Sequence, residues 1–248
     1  MRQEDKTVAN LVDLINNILQ DTKNIKQPIW YRGQEDKNWK LSPTIFRQGR
    51  RTTETELLKK FKQNATLFMN PRPASQYEWL FLMRHYGVPT RLIDWTESPL
   101  VGAYFSAESS TGELSERDGA LWILLPTELN KQSNMTDNPD ELPSEEDVTM
   151  KTYAPEWYDK ESTSEILPVA FTAPRNSTRM QSQLSTFTIH HRLTLPIEDV
   201  GDGKHVWRYV IPREIKAQLK HDLGLLGIGR FQLFPELDSI GKCLKEMK

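Results

Sequence analysis

The chain has 248 residues, of which 37% are hydrophobic and 27% charged, and a formal net charge of −2. That is enough chain for one sizeable core, and the near-neutral balance gives no general pull toward nucleic acid or an acidic membrane surface. The single cysteine, Cys243, excludes an internal disulfide, and the opening MRQEDKTVAN lacks a signal-peptide run, so a cytoplasmic protein with no membrane span is expected.

Val8, Leu11, Val12, Ile15, Ile18 and Leu19 recur at helical spacing and predict an amphipathic helix. It forms an N-terminal segment, 1–27, ahead of a domain over 28–248. A short apolar strand over 29–32 follows Pro28 and is closed by Gly33. Thr53 with Glu56 is a capping-box pattern that opens a helix to about Met69. Ser75 with Glu78 repeats it, Gly87 sits where a C-terminal cap belongs, and the aromatic stretch between them is expected deep in the core. Residues 85–107 then combine a turn, a short strand, a polar cluster and a helix start, with Ser98 as N-cap and Pro99 as first helical residue.

An apolar run over 120–125 predicts a buried strand. Residues 130–165 differ: Asp137, Asp140, Glu141, Glu145, Glu146 and Asp147 come with prolines and few aliphatics, which predicts a projecting acidic insertion. Further strands are expected over 166–172, 186–190 and 206–211, and helices over 214–223 and 237–247. Helices come mostly early and strands mostly late. This order predicts one α+β domain with a small, twisted, mixed or antiparallel sheet flanked by helices.

Standard catalytic motifs are absent: there is no Walker loop, Rossmann fingerprint or serine-hydrolase elbow. His85, His190, His191, His205 and His221 lack zinc-ligand spacing, and one cysteine builds no thiolate site, so no metal is expected. What remains is Arg32 at a strand end, the polar cluster Arg91, Asp94, Trp95, Thr96 and Ser98, and Gln183 with Ser185. An arginine fork beside a glycine can hold a phosphate while the backbone lets the ligand close in. Thr96 and Ser98 can bond sugar hydroxyls, and Trp95 or Tyr104 can stack on a flat ring. A nucleotide-like ligand suits these parts. Structural roles stand beside each: Arg32 can pair with Asp94 inside the fold, Asp94 can cap amides before Ser98, and the tryptophans can belong to the core.

The stretches Ile-Trp-Tyr-Arg-Gly-Gln ending at Gln34, Leu41-Ser-Pro43, and His85-Tyr-Gly-Val-Pro-Thr-Arg-Leu-Ile-Asp-Trp-Thr96 resemble the FRG domain, named for its aromatic-Arg-Gly motif. Asp118-Gly-Ala-Leu-Trp-Ile123, the stretch from Arg179 to Phe187, and Leu233-Phe-Pro-Glu-Leu-Asp238 fit as well, so the resemblance covers roughly 28–246. The order is also similar, more weakly, to the ADP-ribosyltransferase superfamily. That similarity implies NAD as ligand, with Arg32, Thr96, Ser98 and Gln183 as the catalytic set. Tyr31, Gly33, Arg91, Asp94, Trp95 and Tyr104 would bind it.

The third element departs from that pattern, because Gln183-Leu184-Ser185 offers no carboxylate where a glutamate should stabilise the developing sugar cation. Glu165 and Glu198 are the nearest substitutes in sequence. The similarity implies a bacterial effector, toxin or defence protein acting on an unidentified macromolecular acceptor. A non-catalytic module for nucleic acid or a protein partner is the alternative, although the net charge does not support nucleic acid. A hydrolase using Asp94 and Glu97 is a distant third.

Overall fold

The described residues form seven strands. They are β1 (Lys6–Thr7), β2 (Trp30–Gln34), β3 (Leu92–Thr96), β4 (Gly119–Leu124), β5 (Val169–Phe171), β6 (Ser185–Ile189) and β7 (Val206–Ile211). The computed structural model describes residues 4–46, 52–109, 112–133, 135, 141–158, 165–237, 239 and 241. The α-helices among them are α1 (Leu11–Thr22), α2 (Glu54–Ala65), α3 (Gln76–His85), α4 (Pro99–Ser106), α5 (Pro126–Gln132), α6 (Pro155–Tyr158), α7 (Thr178–Ser182), α8 (Arg213–Leu225) and α9 (Arg230–Leu233). The protein is α+β.

One seven-stranded sheet has the order β1-β7-β4-β2-β3-β6-β5. Only β1 with β7 is parallel, so the sheet is mixed, and it is larger than the small sheet expected. Its centre is nearly split. β2 pairs with β4 along its length, and β3 with β6, but β2 and β3 meet only at Tyr31 and Thr96. Strand alternation then builds separate cores. α1, α4 and α8 cover one face of β2, β4 and β7, while α2 and α3 cover β3, β5 and β6. Trp30, Ile93, Trp95, Trp122 and Leu124 fill the opposite face.

Local chemistry explains the offsets from the expected boundaries. Asn10 Oδ1 accepts from the Asp13 amide, so α1 starts at Leu11 and Val8 precedes it, although both join the same core. The Thr53 capping box is complete, and α2 gives way at Ala65 to a 3-10 turn. The Ser75 and Ser98 caps are present. The acidic stretch does not simply project. Within it Met150 and Tyr153 are fully buried, Tyr77 Oη donates to the Met150 carbonyl at 2.6 Å, and Tyr153 Oη donates to Leu167 O at 2.6 Å. The two rings anchor a polar segment whose sequence pattern hides its apolar contacts. Asp137, Asp140, Cys243 and most of the expected 237–247 helix lie outside the described residues. No described helix is long and apolar enough to cross a membrane.

Candidate functional site

Where β2 and β3 part beyond their single rung, a cavity of about 350 Å³ opens. β2 lines it with Tyr31, Arg32 and Gly33; β3 with Asp94, Trp95 and Thr96; α3 with Phe81, Arg84 and His85. Phe105 from α4, Arg179 and Met180 from α7, Gln183, and Ser185 and Phe187 from β6 complete the wall. Its character is aromatic with a guanidinium-rich edge.

Charge is concentrated on Asp94. Arg84 Nε donates to Asp94 Oδ2 at 2.7 Å, while Arg32 Nη1 donates to the Asp94 carbonyl at 2.5 Å and lies 3.8 Å from Oδ2. Burial pushes the Asp94 carboxyl up, but Arg84 first and then Arg32 and Arg179 outweigh it and hold it below the usual carboxylate range. The Asp94 side chain is 38% exposed and the two arginines about half that, at 22% and 20%. At the rim, the Glu236 carboxylate meets His85 Nε2 at 3.0 Å and Arg179 Nη1 at 3.8 Å. The Arg179 guanidinium also stacks 4.7 Å over Phe234. Burial first, then Arg179, pushes His85 below its ordinary value.

Two glycines bring β2 onto α4. A Cβ at Gly33 would meet Gly102 O and Ser106 N, and one at Gly102 would come within 2.6 Å of Leu121 Cδ1. Gly33 is therefore required for strand–helix packing, a role its place beside Arg32 does not announce. On the far wall Leu184 is left-handed, with φ 47°, a conformation that costs a non-glycine residue about 1–2 kcal/mol. Its carbonyl accepts from Glu97 N at 3.1 Å, and the neighbouring Gln183 carbonyl accepts from Thr96 Oγ1 at 2.6 Å. These bonds pin the end of β3 to the start of β6.

Of the residues singled out by sequence, Tyr31, Arg32, Gly33, Asp94, Trp95, Thr96 and Gln183 come together around the cavity. Arg91, Ser98 and Tyr104 do not line it. Arg91 is fully buried: Nε donates to Glu54 Oε2 at 2.7 Å, Nη1 to His190 O and Nη2 to Tyr153 O. Tyr104 is 2% exposed within the α4 core. Ser98 caps α4, its Oγ accepting from Val101 N.

Thr96 reaches the cavity, but its hydroxyl donates to Gln183 O and accepts from Ser98 N, so a sugar would have to displace one of them. Trp95 is 3% exposed, its side chain belongs to the core on the opposite face and its Nε1 donates to Thr188 Oγ1, so the ring is no stacking platform. Asp94 is held by Arg84 instead of capping amides. Gln183 Nε2 donates to Leu233 O at 2.9 Å. Neither Glu165 nor Glu198 lines the cavity; Glu198 lies buried beneath Leu41, accepting its amide.

Arg84, Arg179 and Phe81 are the site residues that sequence reasoning missed. Arg84 directly precedes the His85–Thr96 motif and Arg179 opens the Arg179–Phe187 stretch, but neither spacing points to Asp94, and only the packing of α3 and α7 across the split brings them there. Among the described residues no group of three His, Cys, Asp or Glu side chains is placed to hold a metal ion.

Comparison with curated proteins and with solved structures yields no match. The family comparison does, over the stretch that runs from just before β2 through α4 and contains Arg32, Arg84 and Asp94. Residues 27–114 match the family model described as the FRG domain, and an FRG domain is therefore present in this chain.

Proposed function

We propose that the protein binds a nucleotide in the cavity between β2 and β3, with NAD the leading ligand and an ADP-ribosyltransferase-like pocket as the reading. One observation carries it: three guanidinium groups, Arg32, Arg84 and Arg179, border an aromatic-walled cavity of about 350 Å³ and share few carboxylates. That size falls in the range of small-ligand pockets, about 300–1,000 Å³. Guanidinium forks suit phosphate oxygens, and Phe105, the partly exposed ring of the wall, suits the face of a base.

In this reading Arg32 and Arg84 hold phosphate, and Asp94 occupies both forks until the ligand takes its place. Gln183 and Ser185 offer polar groups on the opposite wall. If glycosyl chemistry follows, Asp94 and Glu236 are the nearest fixed negative charges for a developing oxocarbenium-like centre. The test is a calorimetric titration with NAD, paired with an assay of nicotinamide release, on wild type and Arg32→Ala. Saturable binding lost in a folded Arg32→Ala supports the reading. Absence of binding by wild type overturns it.

A specific observation favours a second reading, a binding module without catalysis. The third-motif position is Gln183, and its amide is already committed to the Leu233 carbonyl. NAD binding without nicotinamide release, in the presence of cell extract as acceptor source, would support that version. Turnover would exclude it.

A further inference from the structure

A second recess of about 170 Å³ adjoins the main cavity, and the two share Arg32, Gly33, Arg84 and Phe105. Whole-ligand pockets begin at about 300 Å³, so this recess holds one ring-sized group and no more. Its outer wall comes from the turn after β2, with Ser42 and Pro43 of the Leu41–Pro43 motif and the Thr44 that follows them. Thr44 Oγ1 is buried and has no hydrogen-bond partner among the described residues. A buried hydroxyl without a partner carries an uncompensated desolvation cost, and a ligand group can satisfy it.

The remaining lining has the chemistry of sugar recognition. Glu35 and Glu108 bring carboxylates that can accept from hydroxyls, and the Trp39 ring stands at the mouth, 36% exposed. Lys40 lines it too, but lies 3.7 Å from Glu198 and 3.5 Å from Asp199, which offset its charge. The carboxylates work against a second phosphate here, and the hydroxyls and small volume work against a nucleobase. Between the two spaces stand Arg32 and Arg84, both turned to Asp94. An anion bound to those forks would carry any attached group straight into the recess.

We infer that the recess is a ribose subsite: Ser42 and Thr44 bond the hydroxyls of a sugar joined to the phosphates that Arg32 and Arg84 hold. It rests on the nucleotide reading proposed above and moves the sugar away from Thr96 and Ser98, whose hydroxyls serve the fold. The occupant is the ribose beyond the diphosphate, so the site distinguishes ADP-ribose from ADP.

The experiment titrates ADP and ADP-ribose separately into wild type and into the Ser42→Ala/Thr44→Val double variant, with thermal midpoints as the folding control. Two hydrogen bonds of ordinary net strength give ADP-ribose an advantage of about tenfold in wild type. In the double variant that advantage collapses, while ADP affinity is unchanged. Equal affinities in wild type would overturn the subsite and leave the nucleotide reading intact. An advantage that survives the double substitution would also overturn it, because the sugar would then sit elsewhere. Binding of neither ligand removes the nucleotide reading, and the subsite with it.

Discussion

Asp94 and Arg91 lie three positions apart, yet they illustrate two different uses of a paired charge. Asp94 faces the cavity and restrains two arginines, so its loss releases cations toward a ligand. Asp94→Asn is expected to lower stability by about 1–2 kcal/mol, discounted because the carboxylate is partly solvated. The same substitution should tighten ADP binding, since Arg32 and Arg84 lose their competitor. Denaturant melts and ADP titrations check both signs; weaker ADP binding in a folded variant would mean that Asp94 orients the forks more than it occupies them. Its depressed pKa sets the linkage. The stabilisation is present above the unfolded value of 3.8 and is lost as the pH falls through the lower folded value.

Arg91 has no such freedom. It is sealed against Glu54, two backbone carbonyls and the Tyr158 ring at 3.9 Å. Removing one partner of a buried pair costs about 3–5 kcal/mol, because the other is left uncompensated. Arg91→Met should show that loss in urea unfolding. Adding Glu54→Gln should recover much of it, and nucleotide affinity of the folded fraction should not change.

At the level of elements, the approach of β2 to α4 decides whether the cavity exists. Gly33 faces Gly102 across a gap that leaves no room for a methyl group on either. Gly33→Ala should cost about 1–3 kcal/mol by overpacking, at the upper end because backbone rather than side chain must yield. A thermal midpoint equal to wild type would show that α4 can slide. Elements whose ends carry chemical signals were legible in sequence: the capped helices α2, α3 and α4, and the apolar strands β4 and β7. Lys6–Thr7 pairs beside β7 without any periodic pattern, so β1 was not legible.

The candidate site was half legible for a related reason. Arg91 to Ser98 look like one cluster in sequence, but period-two alternation turns Asp94 and Thr96 one way and Trp95 the other, while the ends of β3 impose separate duties on Arg91 and Ser98. Arg84 and Arg179 complete the charge arrangement from two helices nearly a hundred residues apart, and no spacing rule connects them.

Over the whole molecule, the histidines make stability depend on pH. His190 and His191 are essentially inaccessible, and burial holds their pKa values down to about 3 and about 4; His205 and His85 are lowered as well, chiefly by burial. A depressed pKa contributes stability that is present above the unfolded value of 6.5 and is lost as pH falls, because the unfolded chain takes up protons the native state refuses. Each such histidine removes about 1.4 kcal/mol per pH unit below that point.

Three carboxylates work in the opposite sense. Burial raises Glu145 to about 6 and also raises Glu108 and Glu198, so their native-state penalty is relieved on acidification. Glu145 is half-solvated through its loop and restores less than the two sealed histidines remove. The net expectation between pH 7 and pH 4.5 is a loss of roughly 3 kcal/mol, read as a falling urea midpoint at constant slope. His191→Phe keeps a ring against Tyr153 and Tyr158, where the native contacts are edge-on at 5.8 and 5.2 Å, and removes one titrating group. Its midpoint should therefore fall less steeply with acid than that of wild type. Parallel pH profiles would mean that His191 is protonated in the native state, and that the Arg91 cluster tolerates a second positive charge.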